Sequence, residues 1–325
     1  MSRTVLITGA NAGLGFESAA QFAALGDTVV ISARSQAKAD DAVKRLVERT
    51  GRAEAFGTAI FDNNQPDTVR AAVAALADKG LRFDAVVLNA GGIATPHADG
   101  TAPLTGQGFS KMYGMNIHGH IVLVDALHHA GLLVEGATIM LAGTEASRGI
   151  GAMRIAAPVL PEGYGDLDAT LQAIVSGQTG QAKGYDPMDD YAMVKLIGTV
   201  WIRQLAQDHG YRALTVSPGF TGGTEAMKNL PTFQRLMFSW VALPVMKLLG
   251  NAHHVDVGAA RYVQAVTDGG LRPGGYYASP NGGISGDIAE QGTEAQPLLA
   301  SDDFDAAVRR LVASHVGAPR LQAVS

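Results

Sequence analysis

A phenol and an ammonium group stand four residues apart in the chain, at Tyr191 and Lys195. If this segment is helical, both side chains lie on one face of the helix. The nearby cation would then favour the phenolate and lower the tyrosine pKa from its usual value of about 10. Such a tyrosine can protonate the alkoxide that forms from a ketone, or deprotonate an alcohol. On its own the spacing is weak evidence, because the same pair also occurs on ordinary surface helices.

A glycine-rich turn follows the first apolar run of the chain and precedes a helical pattern. Glycine permits a tight turn and close approach of the backbone to a pyrophosphate, and the following helix offers unpaired N–H groups to an anion. The turn therefore predicts a dinucleotide site, with a glycine-rich turn that binds no ligand as the alternative. Its spacing is Gly-x-x-x-Gly-x-Gly, and the residues expected to contact the cofactor are Gly9, Asn11, Ala12, Gly13, Leu14 and Gly15.

The end of the second predicted strand indicates which dinucleotide would bind. A cofactor with a free ribose 2′-hydroxyl favours a carboxylate at this point, but the chain has Ala33 there, followed by Arg34. A guanidinium together with the Ser32 hydroxyl suits a 2′-phosphate, so we predict NADP(H), with a solvated surface arginine as the alternative. Asp62 and Asn63 close the third strand and are expected to meet the adenine, although an ordinary turn would look the same.

The elements that would position these residues alternate between short β-rich runs and longer amphipathic ones. Runs rich in Val, Ile and Leu indicate strands buried on both faces, and their alternation with helices predicts a doubly wound α/β fold with a parallel sheet. We predict seven strands, at 4–8, 28–33, 54–61, 85–89, 137–142, 212–217 and 275–278. We predict helices at 14–25, 37–49, 66–79, 107–130, 167–175, 190–207 and 254–267.

Composition narrows the class of protein further. The 325 residues are 47% hydrophobic and 17% charged, so the chain can bury a large core. A net charge of −5 gives no electrostatic footprint for nucleic acid, and the absence of cysteine excludes disulfides and thiolate chemistry. The apolar stretch at 236–249 is interrupted and too short to span a bilayer, and the amino terminus does not resemble a signal peptide. We therefore expect a cytoplasmic protein without an integral membrane segment.

Taken together, the motifs resemble those of the short-chain dehydrogenase/reductase family. They occur in the family order over roughly residues 4 to 224. The resemblance implies a single Rossmann-type domain over 1–325, with an insertion at about 147–188 and a carboxy-terminal extension at about 279–325. Those additions resemble the retinol dehydrogenase, carbonyl reductase and protochlorophyllide reductase branches. The matching pieces are Thr8-Gly9-x-x-x-Gly13-x-Gly15, Asn89-Ala90-Gly91, Met115-Asn116-Ile117, Tyr191-x-x-x-Lys195 and Pro218-Gly219.

The resemblance also implies a role for each matching residue. Tyr191 would be the general acid/base, and Lys195 would bind the nicotinamide ribose and tune Tyr191. Asn116 would hold a water in a proton relay. The Asn89-Ala90-Gly91 segment would close the cofactor cleft, and Pro218-Gly219 would line the nicotinamide. Family members are commonly homodimers or homotetramers.

Two positions depart from the family pattern. The family's catalytic serine falls just after the fifth strand, where Thr144 aligns best; Ser147 would need a shifted loop, and it is also open that neither hydroxyl acts. A threonine hydroxyl can still bond a substrate carbonyl, although its methyl group narrows the site. The loop after Pro218-Gly219 is one residue longer than usual, so Thr221 or Thr224 could contact the cofactor.

Two segments bear on the substrate. The 46 residues between Thr144 and Tyr191 contain the insertion. It would be a lid or wall over the substrate, or else a peripheral or oligomer-contact loop. The apolar segment at 230–246 has helical spacing and would form core, partner interface or substrate cover. The last of these predicts a bulky apolar carbonyl or alcohol substrate. A weak contact with a membrane surface is the rival interpretation.

Other functions remain less favoured. The histidines at 118, 120, 128–129 and 253–254 match no helical metal-binding spacing, so we predict no metal site. The leading hypothesis is an NADP(H)-dependent oxidoreductase that reduces a carbonyl or oxidises an alcohol. Reduction of a C=C or C=N bond at the same site is one alternative. A non-catalytic NADP(H)-binding regulator is another, because fold does not determine function.

Overall fold

A single eight-stranded sheet organises the computed structural model, which describes residues 2–153, 155–179, 187–221 and 254–316. The spatial order of the strands is β3-β2-β1-β4-β5-β6-β7-β8, and all neighbours are parallel except β7 and β8. The strands are β1 (Thr4–Ile7), β2 (Thr28–Ala33), β3 (Phe56–Ile60), β4 (Phe83–Leu88), β5 (Leu133–Ala142), β6 (Arg212–Val216), β7 (Tyr276–Ala278) and β8 (Ala289–Glu290).

Helices cover both faces of this sheet. Alternate residues of a strand point to opposite faces, and in β1 Leu6 belongs to one apolar cluster while Val5 and Ile7 belong to another. The first cluster includes side chains of α3, α5, α7 and α9, and the second includes side chains of α1, α2 and α8. The helices are α1 (Gly13–Ala24), α2 (Gln36–Thr50), α3 (Pro66–Asp78), α4 (Lys111–Tyr113), α5 (Gly119–His129), α6 (Leu167–Val175), α7 (Pro187–His209), α8 (Val255–Thr267) and α9 (Asp302–Ala313).

The predicted fold class is confirmed, and the sheet has one strand more than expected. The additional strand, β8, is only two residues long, which is too short for a periodic pattern to reveal. The predicted strand at 54–61 begins later, at Phe56, because a 3₁₀ turn occupies Ala53–Ala55.

The single helix predicted at 107–130 is instead divided by a π-helical turn at Gly114–His118. The helical stretch begins after Ser110, whose hydroxyl accepts a hydrogen bond from the Tyr113 N–H. Gly119 packs so tightly against Asn63 that an added Cβ would overlap the Asn63 backbone. The interruption therefore accompanies close packing of this stretch on the loop after β3.

The insertion and the carboxy-terminal extension pack against each other. Gln296 of the extension donates from its side chain to two carbonyls of the insertion, those of Ser147 (3.0 Å) and Pro158 (3.2 Å). The exposed Arg310 of α9 pairs with Asp168 of α6 at 2.8 Å. Helix α6 has the bounds that the sequence predicted, whereas α9 was not predicted.

Among the described residues, none of the helices has both the length and the apolar character that a membrane crossing requires. The apolar segment at 230–246 and the candidate cofactor residue Thr224 lie outside the described residues.

Candidate active site

The candidate residues lie where the strand order of the sheet reverses. Strand β1 is flanked by β2 and β4, and loops leaving the carboxyl ends of strands on the two sides of such a point form a crevice in α/β folds. The glycine-rich turn follows β1, Asn89 follows β4, Thr144 follows β5 and Pro218 follows β6. Parallel strands end at one edge of the sheet, so these four segments meet there.

The glycine-rich turn is shaped to leave the amino terminus of α1 open. Gly9 has φ 64° and Gly13 φ 59°, in the left-handed region that favours glycine. An added Cβ on Gly15 would lie 2.5 Å from Asn89 Nδ2, whereas one on Gly13 would meet nothing within 4 Å. Ala12, the N-cap, supplies no capping side chain, and the first turn of α1 contains no acidic residue. These features fit the diphosphate of a dinucleotide, which would accept from the first N–H groups of the helix.

The polar side chains at the ends of β2 and β3 differ in whether they already form hydrogen bonds within the protein. The buried Ser32 hydroxyl accepts from the Gly9 N–H at 3.0 Å, so it holds the turn in place. Arg34 is exposed, and within the described ranges its guanidinium makes no hydrogen bond or ion pair. Asp62 accepts from the Asn64 N–H at 2.9 Å. Asn63 donates to the Met115 carbonyl at 3.0 Å, while its Oδ1 is buried without a partner in the described part of the chain.

A buried histidine joins the turn after β1 to the π-helical turn. His120 Nδ1 lies 3.0 Å from the Asn116 carbonyl, and its Nε2 lies 3.1 Å from Thr8 Oγ1. A carbonyl only accepts, so Nδ1 carries the hydrogen and Nε2 accepts from the Thr8 hydroxyl. Burial lowers the pKa of His120 to about 3, which keeps the ring neutral. Thr8 Oγ1 in turn accepts from the Ala90 N–H at 2.8 Å. The sequence had raised His120 only as a metal ligand.

Asn116 fixes the loop that follows β4. Its side-chain amide donates to the carbonyls of Gly92 and Met112, both at 2.8 Å, and its Oδ1 accepts from the Gly92 N–H at 3.0 Å. An added Cβ on Gly91 would overlap Asn116 Oδ1 and lie 3.4 Å from Lys195 Nζ. Gly91 therefore allows Asn116, Lys195 and the segment after Asn89 to approach one another. Asn89 also donates to the Thr8 carbonyl at 2.9 Å.

Tyr191 and Lys195 lie on α7, with the ammonium 5.8 Å from the centre of the phenol ring. Lys195 is 2% exposed and donates to the Ala142 carbonyl at 2.8 Å. Burial lowers the pKa of Lys195 to about 7. Burial also raises the pKa of Tyr191 to about 12, which a hydrogen bond with Thr144 partly offsets and the Glu145 carboxylate reinforces.

The pKa of Tyr191 in the chain alone is thus displaced in the direction opposite to the sequence-based expectation. The loss of water around the phenol outweighs the other contributions, and the Lys195 ammonium is bonded to a backbone carbonyl instead. This result corrects the assumption that a lysine four residues away is enough to favour the phenolate.

Of the two candidate hydroxyls, Thr144 is the one beside the phenol. Its side chain is close enough to the phenol to lower the pKa of Tyr191, and its carbonyl accepts from the Tyr276 hydroxyl at 2.5 Å. Ser147 is 1% exposed, and its hydroxyl donates to the Ala192 carbonyl at 3.1 Å. The Ser147 hydroxyl is therefore committed to the backbone of α7.

The loop after β6 reaches the same region. Gly219 has φ 78°, and its N–H donates to Ser217 Oγ at 3.3 Å. The Thr221 hydroxyl lies within hydrogen-bond distance of the carbonyls of Pro218 (3.3 Å) and Gly219 (3.1 Å).

A small apolar cluster, here called the apolar wall, includes residues that are near Tyr191 and Thr144 in the chain. Ala192 follows Tyr191 on α7, and Ala146 lies two residues after Thr144. Others come from the insertion, from the loop after β6 and from the extension. The cluster consists of Ala146, Ile150, Ala192 and Ile284, with Ile155, Met188 and Phe220 packed against it.

Known proteins match either the first half of the chain or most of it. A family model described as short chain dehydrogenase matches residues 3–153. The "Short chain dehydrogenase virL" of Hypocrea virens is 29% identical over 286 residues, which is 85% of this chain and 76% of that one. Retinol dehydrogenase 14 of Mus musculus is 33% identical over 144 residues, 42% of this chain and 41% of that one. The WW domain-containing oxidoreductase of Homo sapiens is 30% identical over 146 residues, 45% of this chain and 34% of that one. The chain therefore spans well under half of the length of these last two relatives.

Solved structures share the fold at low sequence identity. Salutaridine reductase from Papaver somniferum superposes with a TM-score of 0.61 at 17% identity, covering 85% of this chain and all of that one. An NADPH-dependent 3-quinuclidinone reductase from Rhodotorula rubra gives 0.57 at 18% identity, covering 84% and 88%.

Proposed function

The chain belongs to the short-chain dehydrogenase/reductase family, and on this premise we propose that it is an NADP(H)-dependent oxidoreductase acting on the carbonyl or alcohol of a bulky apolar substrate. Members of this family transfer hydride with a nicotinamide cofactor. The observation that carries the proposal is the arrangement at the carboxyl end of β5, where the buried Lys195 ammonium lies 5.8 Å from the centre of the Tyr191 ring and donates to the Ala142 carbonyl.

The cofactor would lie along the crevice, and its nicotinamide supplies the hydride chemistry when bound. The open amino terminus of α1 would hold the diphosphate. The unpaired Asn63 Oδ1 is an acceptor suited to the adenine amino group. Lys195 would bind the nicotinamide ribose, with Asn89, Ala90 and Gly91 closing the cleft. The nicotinamide end would meet Pro218, Gly219 and Thr221.

Arg34 supports the choice of NADP(H). Its exposed guanidinium directly follows Ala33, the position at which a carboxylate would favour a free 2′-hydroxyl. A guanidinium binds a phosphate by paired, charge-assisted hydrogen bonds. The Ser32 hydroxyl accepts from the Gly9 N–H and keeps its own hydrogen for donation to the phosphate.

The proton chemistry follows from the chain's own residues. Tyr191 holds its proton at neutral pH because burial raises its pKa, so it is suited to protonate the oxygen of a carbonyl substrate. The Thr144 hydroxyl lowers the pKa of the phenol and can bond the same substrate oxygen. Lys195, with a pKa of about 7, gains and loses a proton near neutrality and can therefore resupply the phenol. Asn116 would hold the water that connects this lysine to solvent.

The apolar wall supports an apolar substrate. Ile150 and Ile155 of the insertion, together with Phe220 and Ile284, belong to this cluster and would give the substrate side of the site apolar surroundings. A polar substrate would have to leave its polar groups unpaired against this surface.

The first test is a panel of ketones and aldehydes, with consumption of NADPH followed by absorbance. We expect turnover with bulky aromatic or terpenoid-like carbonyls and little with small polar ones. Absence of turnover across the panel and in the alcohol direction, with NADPH still binding, would favour the non-catalytic regulator.

The cofactor assignment has its own test in Arg34→Ala. Loss of charge-assisted bonds to a 2′-phosphate should weaken NADPH binding by about 10- to 100-fold and leave NADH binding nearly unchanged. Lys38→Ala, an exposed cation on the adjoining helix α2, is the matched control and should change neither. Equal effects of Arg34→Ala on both cofactors would contradict the assignment. Binding can be followed by fluorescence or calorimetry without any substrate.

A further inference from the structure

A buried ion pair lies directly behind the reactive residues. Glu145 follows Thr144 in the chain, and Arg261 lies on α8; each is 4% exposed. Their nearest atoms, Glu145 Oε1 and Arg261 Nη1, are 3.4 Å apart. The two residues are separated by most of the second half of the sequence, and nothing in their local spacing marked them as partners.

Both members of the pair are embedded in further hydrogen bonds. Glu145 Oε1 accepts from the N–H of Ser279 at 3.3 Å and from its hydroxyl at 3.0 Å, and Oε2 accepts from the Ser217 hydroxyl. Arg261 donates to the carbonyls of Ser217 (3.0 Å) and Gly286 (2.6 Å) and to Ser279 Oγ (3.0 Å). The pair is therefore held by hydrogen bonds to the residue that follows β6 and to the extension.

Those segments are the ones that carry the candidate site. Ser217 immediately precedes Pro218 and accepts from the Gly219 N–H through its hydroxyl. Glu145 begins the 3₁₀ turn that follows Thr144. Ser279 directly follows β7 at the start of the carboxy-terminal extension. One pair of charges thus ties the proton-transfer loop, the nicotinamide loop and the extension together.

Stability alone does not account for a charged pair at this place. Removing two charges from water is costly, and well-packed apolar residues commonly hold buried segments at least as stably. A carboxylate and a guanidinium instead impose direction, because each oxygen and each N–H requires a partner at a defined position.

We propose that Glu145 and Arg261 form a positioning pair, which fixes the loop carrying Thr144 against the loop carrying Pro218 and Gly219 and places a carboxylate beside the reactive phenol. The inference rests on the proposed function, because it assigns the pair to the proton chemistry of Tyr191. Neither residue needs to touch the substrate.

The carboxylate has a defined electrostatic effect. Glu145 raises the pKa of Tyr191, so it favours the protonated phenol that carbonyl reduction requires. Other ionisable groups surround the same space and must be counted with it. They are Lys195 on α7, Arg261 and Tyr262 on α8, Tyr276 on β7, Arg148 in the turn after β5 and Asp287 in the extension.

The test is the pH dependence of Glu145→Gln, which keeps the shape of the side chain and removes its charge. Deprotonation of Tyr191 stops reduction, so kcat for reduction falls at high pH. We expect this fall to move by about 1 pH unit toward neutrality in Glu145→Gln. Glu145→Asp, which restores the charge, should return it toward the original pH even if kcat stays low. Phenolate absorbance, measured as the difference from the same protein carrying Tyr191→Phe, should move with it.

Two further variants separate this effect from loss of structure. Arg261→Gln leaves the Glu145 charge uncompensated and should move the fall in the opposite direction. Asp27→Asn breaks a partly buried pair, with Arg3 at 2.8 Å, at the opposite end of the sheet; it should lower stability and leave the pH dependence unchanged. If Glu145→Gln fails to fold, the Arg261→Gln result decides the matter.

The outcomes distinguish the two levels of the account. Suppose that the unaltered protein turns over and that neither Glu145→Gln nor Arg261→Gln shifts the fall of kcat at high pH. This result would overturn the positioning pair and leave the proposed function standing. If the fall of kcat at high pH persists in Tyr191→Phe, the proposed function itself is contradicted.

Discussion

At the scale of single residues, burial controls the chemistry of the site more than sequence spacing does. Tyr191 and Lys195 could be selected from the sequence because their types and four-residue spacing suit acid/base work. The direction of their pKa values could not, since it depends on how much water each group loses on folding. Glu145 and Arg261 were missed for a related reason: only the folded chain brings them together.

The choice between two hydroxyls can be tested with matched substitutions. Thr144→Val keeps the shape and removes the hydroxyl beside Tyr191, so kcat should fall by about 10²- to 10³-fold, as when a donor to a developing oxyanion is lost. Thr144→Ser should keep most activity. Ser147→Ala removes a bond to the Ala192 carbonyl and should lower stability more than kcat. Steady-state kinetics would contradict the account if Ser147→Ala were the more damaging change.

At the scale of elements, regular segments were predictable and short irregular ones were not. The apolar composition of the buried strands and the hydrophobic periodicity of the helices between them predict these elements, and α6 inside the insertion was predicted as well. The two-residue strand β8 and the π-helical turn at Gly114–His118 follow from long-range packing that no local pattern encodes. Helix α9 begins after the N-cap residue Ser301, whose hydroxyl accepts from the Phe304 N–H. A serine at this position is a start signal that the sequence does contain, although the helix was not predicted.

The contact between insertion and extension depends on Gln296, whose side chain is 1% exposed. Gln296→Ala would leave the carbonyls of Ser147 and Pro158 unpaired and should lower the free energy of unfolding by about 1 to 3 kcal/mol. Urea unfolding measures this change. Arg310→Ala, which removes an exposed pair with Asp168 in the same region, is the control and should have little effect. Equal effects of the two variants would show that Gln296 has no special role there.

At the scale of the whole molecule, the segment that follows α9 packs into a cluster of rings that do not readily accept protons. His315 packs against His118 at 5.0 Å and against Phe109 at 4.9 Å between ring centres. Burial lowers the pKa of both histidines to about 4. Together with His120, whose pKa burial also lowers, they make the fold sensitive to acid.

The sign of this sensitivity follows from linkage. Each histidine has a folded pKa below its usual value of about 6.5, so the unfolded chain binds more protons between about pH 4 and 6.5. Stability is therefore lost as the pH falls through this window, by about 1.4 kcal/mol per pH unit for each histidine.

A variant of one member tests this prediction. Urea unfolding measures the free energy of unfolding as a function of pH. Between pH 6.5 and 4, His315→Phe should reduce the slope of this free energy by the contribution of one histidine, about 1.4 kcal/mol per pH unit. His129→Phe alters a side chain that is 70% exposed and should leave the slope unchanged. A slope in His315→Phe equal to that of the unaltered chain would contradict the assignment.

The central claim, that Tyr191 is the acid/base of a hydride-transfer enzyme, is tested most directly by Tyr191→Phe. The measurement is turnover with the best carbonyl from the panel, together with NADPH binding measured separately. We expect turnover to fall by about 10²-fold or more while NADPH binding stays nearly unchanged, because only the hydroxyl is removed. Turnover equal to that of the unaltered chain would contradict the mechanism.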